Sequence, residues 1–106
     1  DRVDALPVDG HALAALVAPR GFHEGEAAND LIADPRGSWL ATVEASKIWA
    51  FHGKAAALKD EMPLVNDLLI NGPIAYHMRE GGHDLILFDW KLYLDHADSL
   101  FRVKSK

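Results

Sequence analysis

The sequence predicts an α/β fold: a βαβα arrangement of two short parallel strands flanked by helices, forming one end of a larger α/β domain. Three observations carry this. The apolar pattern and breakers give the order helix, strand, helix, strand, helix. The helix between the strands is long enough to serve as a crossover, which implies parallel pairing. Parallel sheets are covered on both faces and usually contain more than two strands, so two short ones make a poor independent sheet.

Asp9 is placed to cap a first helix through His11, Leu13, Leu16 and Val17, which Pro19 must end. Residues 21–26, Gly-Phe-His-Glu-Gly-Glu, read as a short strand of poor apolar content. Burying an unpaired Glu24 is costly, so this strand is expected at an exposed or irregular edge. A loop follows to Asp34, and Asp34-Pro35 starts a helix with proline in its first position. That helix carries Trp39, Leu40, Val43, Ile48, Trp49 and Phe51 and stops at Gly53. Residues 54–71 form a long connection, broken by Pro63 and closed by Asn71-Gly72. The second strand spans 73–78. After Gly81-Gly82, Asp89 caps a last helix with an apolar stripe of Trp90, Tyr93, Leu94, Ala97, Leu100 and Phe101. No repeat or low-complexity tract divides the chain, so residues 1–106 are one unit.

Composition narrows the function classes. The 11 basic and 16 acidic residues give a net charge of -5, with no basic run or aromatic-basic stripe, which argues against a nucleic-acid partner. Apolar segments are too short to cross a bilayer. The start at Asp1 shows no signal peptide. Without cysteine there is neither a disulfide nor a thiolate metal site. No cofactor motif is present.

In open α/β sheets ligands gather beyond the carboxyl ends of the strands. The first strand leads to Asn29, Asp30 and Asp34, and the second to Arg79, Glu80, His83 and Asp84. Neighbouring strands lie roughly 5 Å apart, so the two loops should adjoin. A carboxylate from one can orient the imidazole of the other, as in the acid-histidine half of a nucleophile-histidine-acid triad. The α/β-hydrolase order is serine, acid, histidine, and Asp30 followed by His83 fits the last two places. The first is empty: Ser38, Ser46, Ser99 and Ser105 all follow Asp30, and no Gly-x-Ser-x-Gly elbow exists.

Competing readings stand beside this one. Acid-histidine neighbours are common without catalysis, and His77, on the strand, reads as structural. His23, Glu24, His77 and His83 could suggest zinc, although their spacing is looser than that of zinc motifs. His11, His52 and His96 read as surface or core-edge residues, and the three tryptophans as packing. Arg79 could pair with Glu80 in solvent or reach an anionic substrate. The chain could also be a non-enzymatic segment that docks on a partner.

Three stretches resemble the glucuronoyl esterases and related carbohydrate esterases of the α/β-hydrolase superfamily, in family order. Asp9-Gly-His-Ala-Leu-Ala-Ala-Leu-Val-Ala-Pro-Arg20 resembles the segment before the penultimate core strand. Asp30-Leu-Ile-Ala-Asp-Pro-Arg-Gly37 resembles the acid loop. Tyr76-His-Met-Arg-Glu-Gly-Gly-His-Asp84, with Phe88-Asp-Trp90 and Tyr93-Leu-Asp-His-Ala-Asp98, resembles the histidine loop and last helix. The resemblance covers only the C-terminal part of the family domain. It implies a serine esterase of carbohydrate esters, such as glucuronoyl esters of xylan, with His83 as general base, Asp30 as acid and no cofactor or metal. The implied partner is the remainder of the hydrolase domain, which carries the serine; the chain alone is then inactive. A secreted or periplasmic location would follow. Members of the family can also draw their acid from an earlier strand. Many carry Trp two residues after the acid, where it lines the sugar site; Ile32 holds that position here, which bears on uronate specificity.

Overall fold

The computed structural model describes residues 2–7 and 9–102, so Ser105 lies outside it. After a 3-10 turn at Val3–Ala5, α1 runs Gly10–Ala15 and β1 Phe22–Ala27. A second 3-10 turn, Leu31–Ala33, precedes α2 at Pro35–Phe51. Then come β2 (Leu68–Asn71), β3 (Ile74–Arg79) and α3 (Leu87–Phe101). The sheet has the order β1-β3-β2, with β1 parallel and β2 antiparallel to β3. No described helix is long and apolar enough to cross a membrane.

The parallel β1–β3 pair is the expected one, and β2 is an addition to it. Asn71 and Ile74 face each other across a two-residue loop in which Gly72 has φ +61°. Proline in the second loop position fixes a negative φ, so the loop has the sequence demands of a tight hairpin with glycine first. Leu68-Leu69-Ile70-Asn71, expected to be connection, is therefore an edge strand.

Helix boundaries shift for local reasons. Asp9 occupies the N-cap of α1, but its side chain makes no capping bond. The helix closes at Ala15, and residues 16–18 tighten into i to i+3 bonds before Pro19. At α2 Asp34 caps as expected, accepting from Gly37 N at 3.1 Å, with Pro35 in the first turn. Asp89 is not the cap of α3: the helix begins at Leu87, and the Asp89 carboxylate reaches back to accept from Ile86 N at 3.0 Å. This is the acidic half of a capping arrangement, three residues inside the helix.

β3 is central and buried along its whole length. Its alternation sends Ile74, Tyr76 and Met78 toward α2 and Ala75, His77 and Arg79 toward α3. The α2 layer is the apolar core, in which Trp39 and Val43 pack with Tyr76 and Met78, and Ala45 and Trp49 with Ile74. Both indoles also bond to chain carbonyls, Trp39 Nε1 to Asp60 at 2.9 Å and Trp49 Nε1 to Arg20 at 2.9 Å.

Only one side of each long helix is covered. Leu40, Ile48 and Phe51 of the expected α2 stripe are exposed, as are Trp90, Leu94 and Phe101 of α3. The residues of α3 that are buried are Asp89 and His96. The radius of gyration, 14.6 Å, exceeds the ~13 Å of a compact domain of about 100 residues. One edge of β1 carries no strand among the described residues.

Candidate active site

Beyond the carboxyl ends of β1 and β3 the two loops are tied by backbone bonds. Ala28 N donates to Arg79 O at 2.8 Å and Asn29 N to Gly81 O at 2.9 Å. This pairing places Asp30 against His83, with His83 Nδ1 2.7 Å from Asp30 Oδ2. A carboxylate can only accept, so Nδ1 carries a proton pointed at Asp30, and in the neutral ring Nε2 is then the acceptor. The Asp30 side chain is 13% exposed and that of His83 is 92% exposed, so the acid is sheltered and the imidazole is open to approach. A cavity of about 230 Å³ beside the pair is lined by Glu26, Asp30, Arg79, His83, Asp84 and Tyr93, among others.

The structure separates the remaining candidates. Ile32 lies two residues past Asp30 in the 3-10 turn and is 99% exposed. Arg79, expected in solvent with Glu80 or on an anionic substrate, is 4% exposed and donates within the chain. Its Nε bonds Asp89 Oδ2 at 2.7 Å, Nη1 bonds Glu80 O at 2.9 Å, and Nη2 bonds Gly82 O at 3.3 Å and Asp84 O at 2.6 Å. The serine hydroxyls bond elsewhere: Ser38 to Pro35 O, Ser46 to Val43 O and Ser99 to His96 O.

His77 belongs to a different assembly, below the loops on the α3 side of the sheet. It is fully buried, with Nε2 2.7 Å from Asp89 Oδ1 and Nδ1 2.9 Å from His23 Nε2. Burial would raise the Asp89 carboxyl, but the bonds from His77, Arg79 and Ile86 outweigh it and hold the group below the usual range. With the Asp89 carboxylate accepting, His77 Nε2 carries a proton. Tyr93 packs edge-on against both imidazoles, and a Cβ on Gly25 would overlap Tyr93 Oη and His77 Cε1. Glycine is thus what lets β1 approach this cluster. His96, expected at a surface or core edge, is buried with Nε2 3.1 Å from Gly72 O. Sequence reasoning missed the network because Asp89 was read as a cap. The available signal was period two, which puts His77 and Arg79 on one face of β3.

His23, Glu24, His77 and His83 do not converge on one point. Glu24 follows His23 directly on β1 and so lies on the opposite sheet face, while His83 is in the loop. Among the described residues no group of three His, Asp or Glu side chains is arranged to hold a metal ion.

The two β1 groups titrate in opposite senses. Burial, then electrostatic interaction with the neighbouring imidazoles of His77 and His96, push His23 down to about 4. Burial and the neighbouring Glu26 push Glu24 up to about 7. The unfolded chain therefore out-competes the fold for the His23 proton, and stability falls as pH drops from 6.5 to about 4. For Glu24 the fold holds the proton more tightly, so its contribution is complete below 4.5 and is lost as pH rises to about 7. The two oppose each other in the overlap. Glu24→Gln is expected to uncover a monotonic loss of stability on acidification through that range, read by urea unfolding at stepped pH. An unchanged profile would refute the assignment.

No family model matches the chain. It is 38% identical over 98 residues to the carbohydrate esterase MZ0003 from an unknown prokaryotic organism, covering 92% of this chain and 22% of that protein. A glucuronoyl esterase from Solibacter usitatus superposes with a TM-score of 0.82 at 35% identity, over 90% of this chain and 24% of that one. A CE15 glucuronoyl esterase from Teredinibacter turnerae superposes with a TM-score of 0.78 at 32% identity, over 88% and 22%. The chain thus spans about a quarter of the length of these relatives. Its sequence and mixed α/β sheet correspond to a C-terminal portion of these α/β-hydrolases, as the three motifs implied.

Proposed function

We propose that this chain, a relative of the C-terminal portion of the glucuronoyl esterases, supplies the general base and the acid of a serine esterase acting on carbohydrate esters. The observation that carries the reading is the 2.7 Å bond from His83 Nδ1 to a sheltered Asp30, which in the neutral ring makes Nε2 the proton acceptor of a side chain that is 92% exposed. Nε2 takes the proton of a serine hydroxyl as its oxygen attacks the ester carbonyl. It then returns that proton to the departing alcohol oxygen as the tetrahedral intermediate collapses to an acyl-enzyme. Water, deprotonated by the same nitrogen, releases the acid. Asp30 holds the tautomer and stabilises the imidazolium at each stage.

The serine belongs to sequence outside this chain, in the remainder of the hydrolase domain. The free edge of β1 and the exposed apolar side chains of α2 and α3 support such a partner. Glucuronoyl esters are the substrate class that the relatives' names suggest, with Ile32 beside the acid as a candidate lining residue.

The test is turnover of a simple aryl ester. The purified 106-residue chain should show none. In a complete esterase that contains this chain, His83→Ala should lower kcat by about 10⁴-fold or more. Turnover by the chain alone that disappears with His83→Ala would overturn the placement of the nucleophile. Full activity of the His83→Ala esterase would overturn the base assignment.

A further inference from the structure

We infer that Arg79 is the positioning residue of the histidine loop, a buried guanidinium that sets where His83 stands relative to Asp30. His83 follows two glycines, and the hydrogen bond made by its own side chain is the one to Asp30. The backbone bond from Asn29 N to Gly81 O fixes the entry to the loop, but past Gly81 the glycines leave many conformations open, and the one side-chain bond of His83 does not select among them. Yet three carbonyls within five residues, those of Glu80, Gly82 and Asp84, converge on Arg79. The loop is folded around the guanidinium, and His83 lies between the last two acceptors.

The guanidinium is itself fixed from behind. Asp89 Oδ2 takes Nε, Asp89 Oδ1 takes His77, and His77 meets His23. The template therefore stands on β1, β3 and α3 together. The planar fork of arginine offers several donors in fixed directions, whereas lysine offers a compact charge on one nitrogen. Lysine can neutralise Asp89 but cannot span three carbonyls. A residue needed only to balance the buried charge would tolerate that exchange, and a positioning residue would not.

The catalytic meaning of this role rests on His83 being the base; the positioning itself does not. The first readout is therefore independent of activity. Imidazole 15N shifts of His83, recorded on the neutral ring in the 106-residue chain, report which nitrogen carries the proton. The native chain should show the Nδ1–H form, and Asp30→Asn and Arg79→Lys should both shift it toward the Nε2–H form that a free imidazole favours. Persistence of the Nδ1–H form in folded Arg79→Lys overturns the inference. Should that variant fail to fold, the native chain still decides. The Arg79 Nη protons, which donate to the loop carbonyls of Glu80, Gly82 and Asp84, should exchange with solvent more than about a hundredfold more slowly than those of exposed Arg36, and equal exchange would overturn the inference.

In the complete esterase, Arg79→Lys should lower kcat about a hundredfold while KM stays within about twofold. An unchanged kcat alongside a lost Nδ1–H form would dissociate positioning from catalysis and count against the functional reading instead.

Discussion

Replacing Asp89 with alanine is expected to lower the stability of the chain by about 3–5 kcal/mol, measured by urea unfolding. The carboxylate is the common acceptor of His77, Arg79 and the amide of Ile86, the N-cap of α3. Its removal leaves a buried guanidinium without a counter-charge, an imidazole without its acceptor and a helix start without its bond. The loss is of the same order as the whole stability of a typical small domain, about 5–15 kcal/mol. Removing both partners together, as Asp89→Ala with Arg79→Met, should cost less than the sum of the single changes. Uncompensated charge, rather than lost attraction, is the larger part of the penalty. Additive losses would show that the pair is not coupled. Because the Asp89 carboxyl is held below its usual range, its contribution is present at neutral pH and disappears only as acid titrates the folded form.

Trp49→Ala should have a comparable effect, about 3–5 kcal/mol, from the opposite face of the sheet. The indole is fully buried between α2 and the first residues of β1 and β3, with its ring 5.9 Å from that of Phe22. Truncation leaves a cavity and strips the Arg20 carbonyl of its donor. Phe51→Ala, two residues along the same helix, is the control. Its ring is 84% exposed, and its loss should change stability by no more than about 0.5 kcal/mol. A large effect at Phe51 with a small one at Trp49 would mean that α2 presents its other face to the sheet.

This contrast marks how far periodicity could be read. Trp39, Val43 and Trp49 fall on the buried face, as their spacing implied, yet Leu40, Ile48 and Phe51 have the same chemistry and face outward. An apolar pattern reports that a residue is to be covered, not which element covers it, and this chain supplies one cover for two faces. On α3 the misreading runs the other way. The inward positions include Asp89 and His96, which hydropathy assigns to solvent, and burial is tolerated because each has hydrogen-bonding partners.

The meeting of Asp30 with His83 was legible because it needs only strand order and the rule that loops gather at one end of a parallel pair. The buried relay was not. Period two puts His77 and Arg79 on one face of β3, but the relay also depends on which helix covers that face and on an acid that serves a helix terminus as well. β2 was hidden by brevity, since four residues beside Gly72-Pro73 look like loop until the hairpin is allowed for.

That hairpin also bears on the order in which the chain assembles. Ile74 pairs with Phe22 across a long stretch of intervening sequence, whereas Asn71 and Ile74 need close only a two-residue loop. Short loops close early and cheaply, and distant parallel pairings wait for the chain between them to be ordered. The central strand can therefore be born with a neighbour already in place. The hairpin is expected to shield one edge of β3 before β1 pairs with the other.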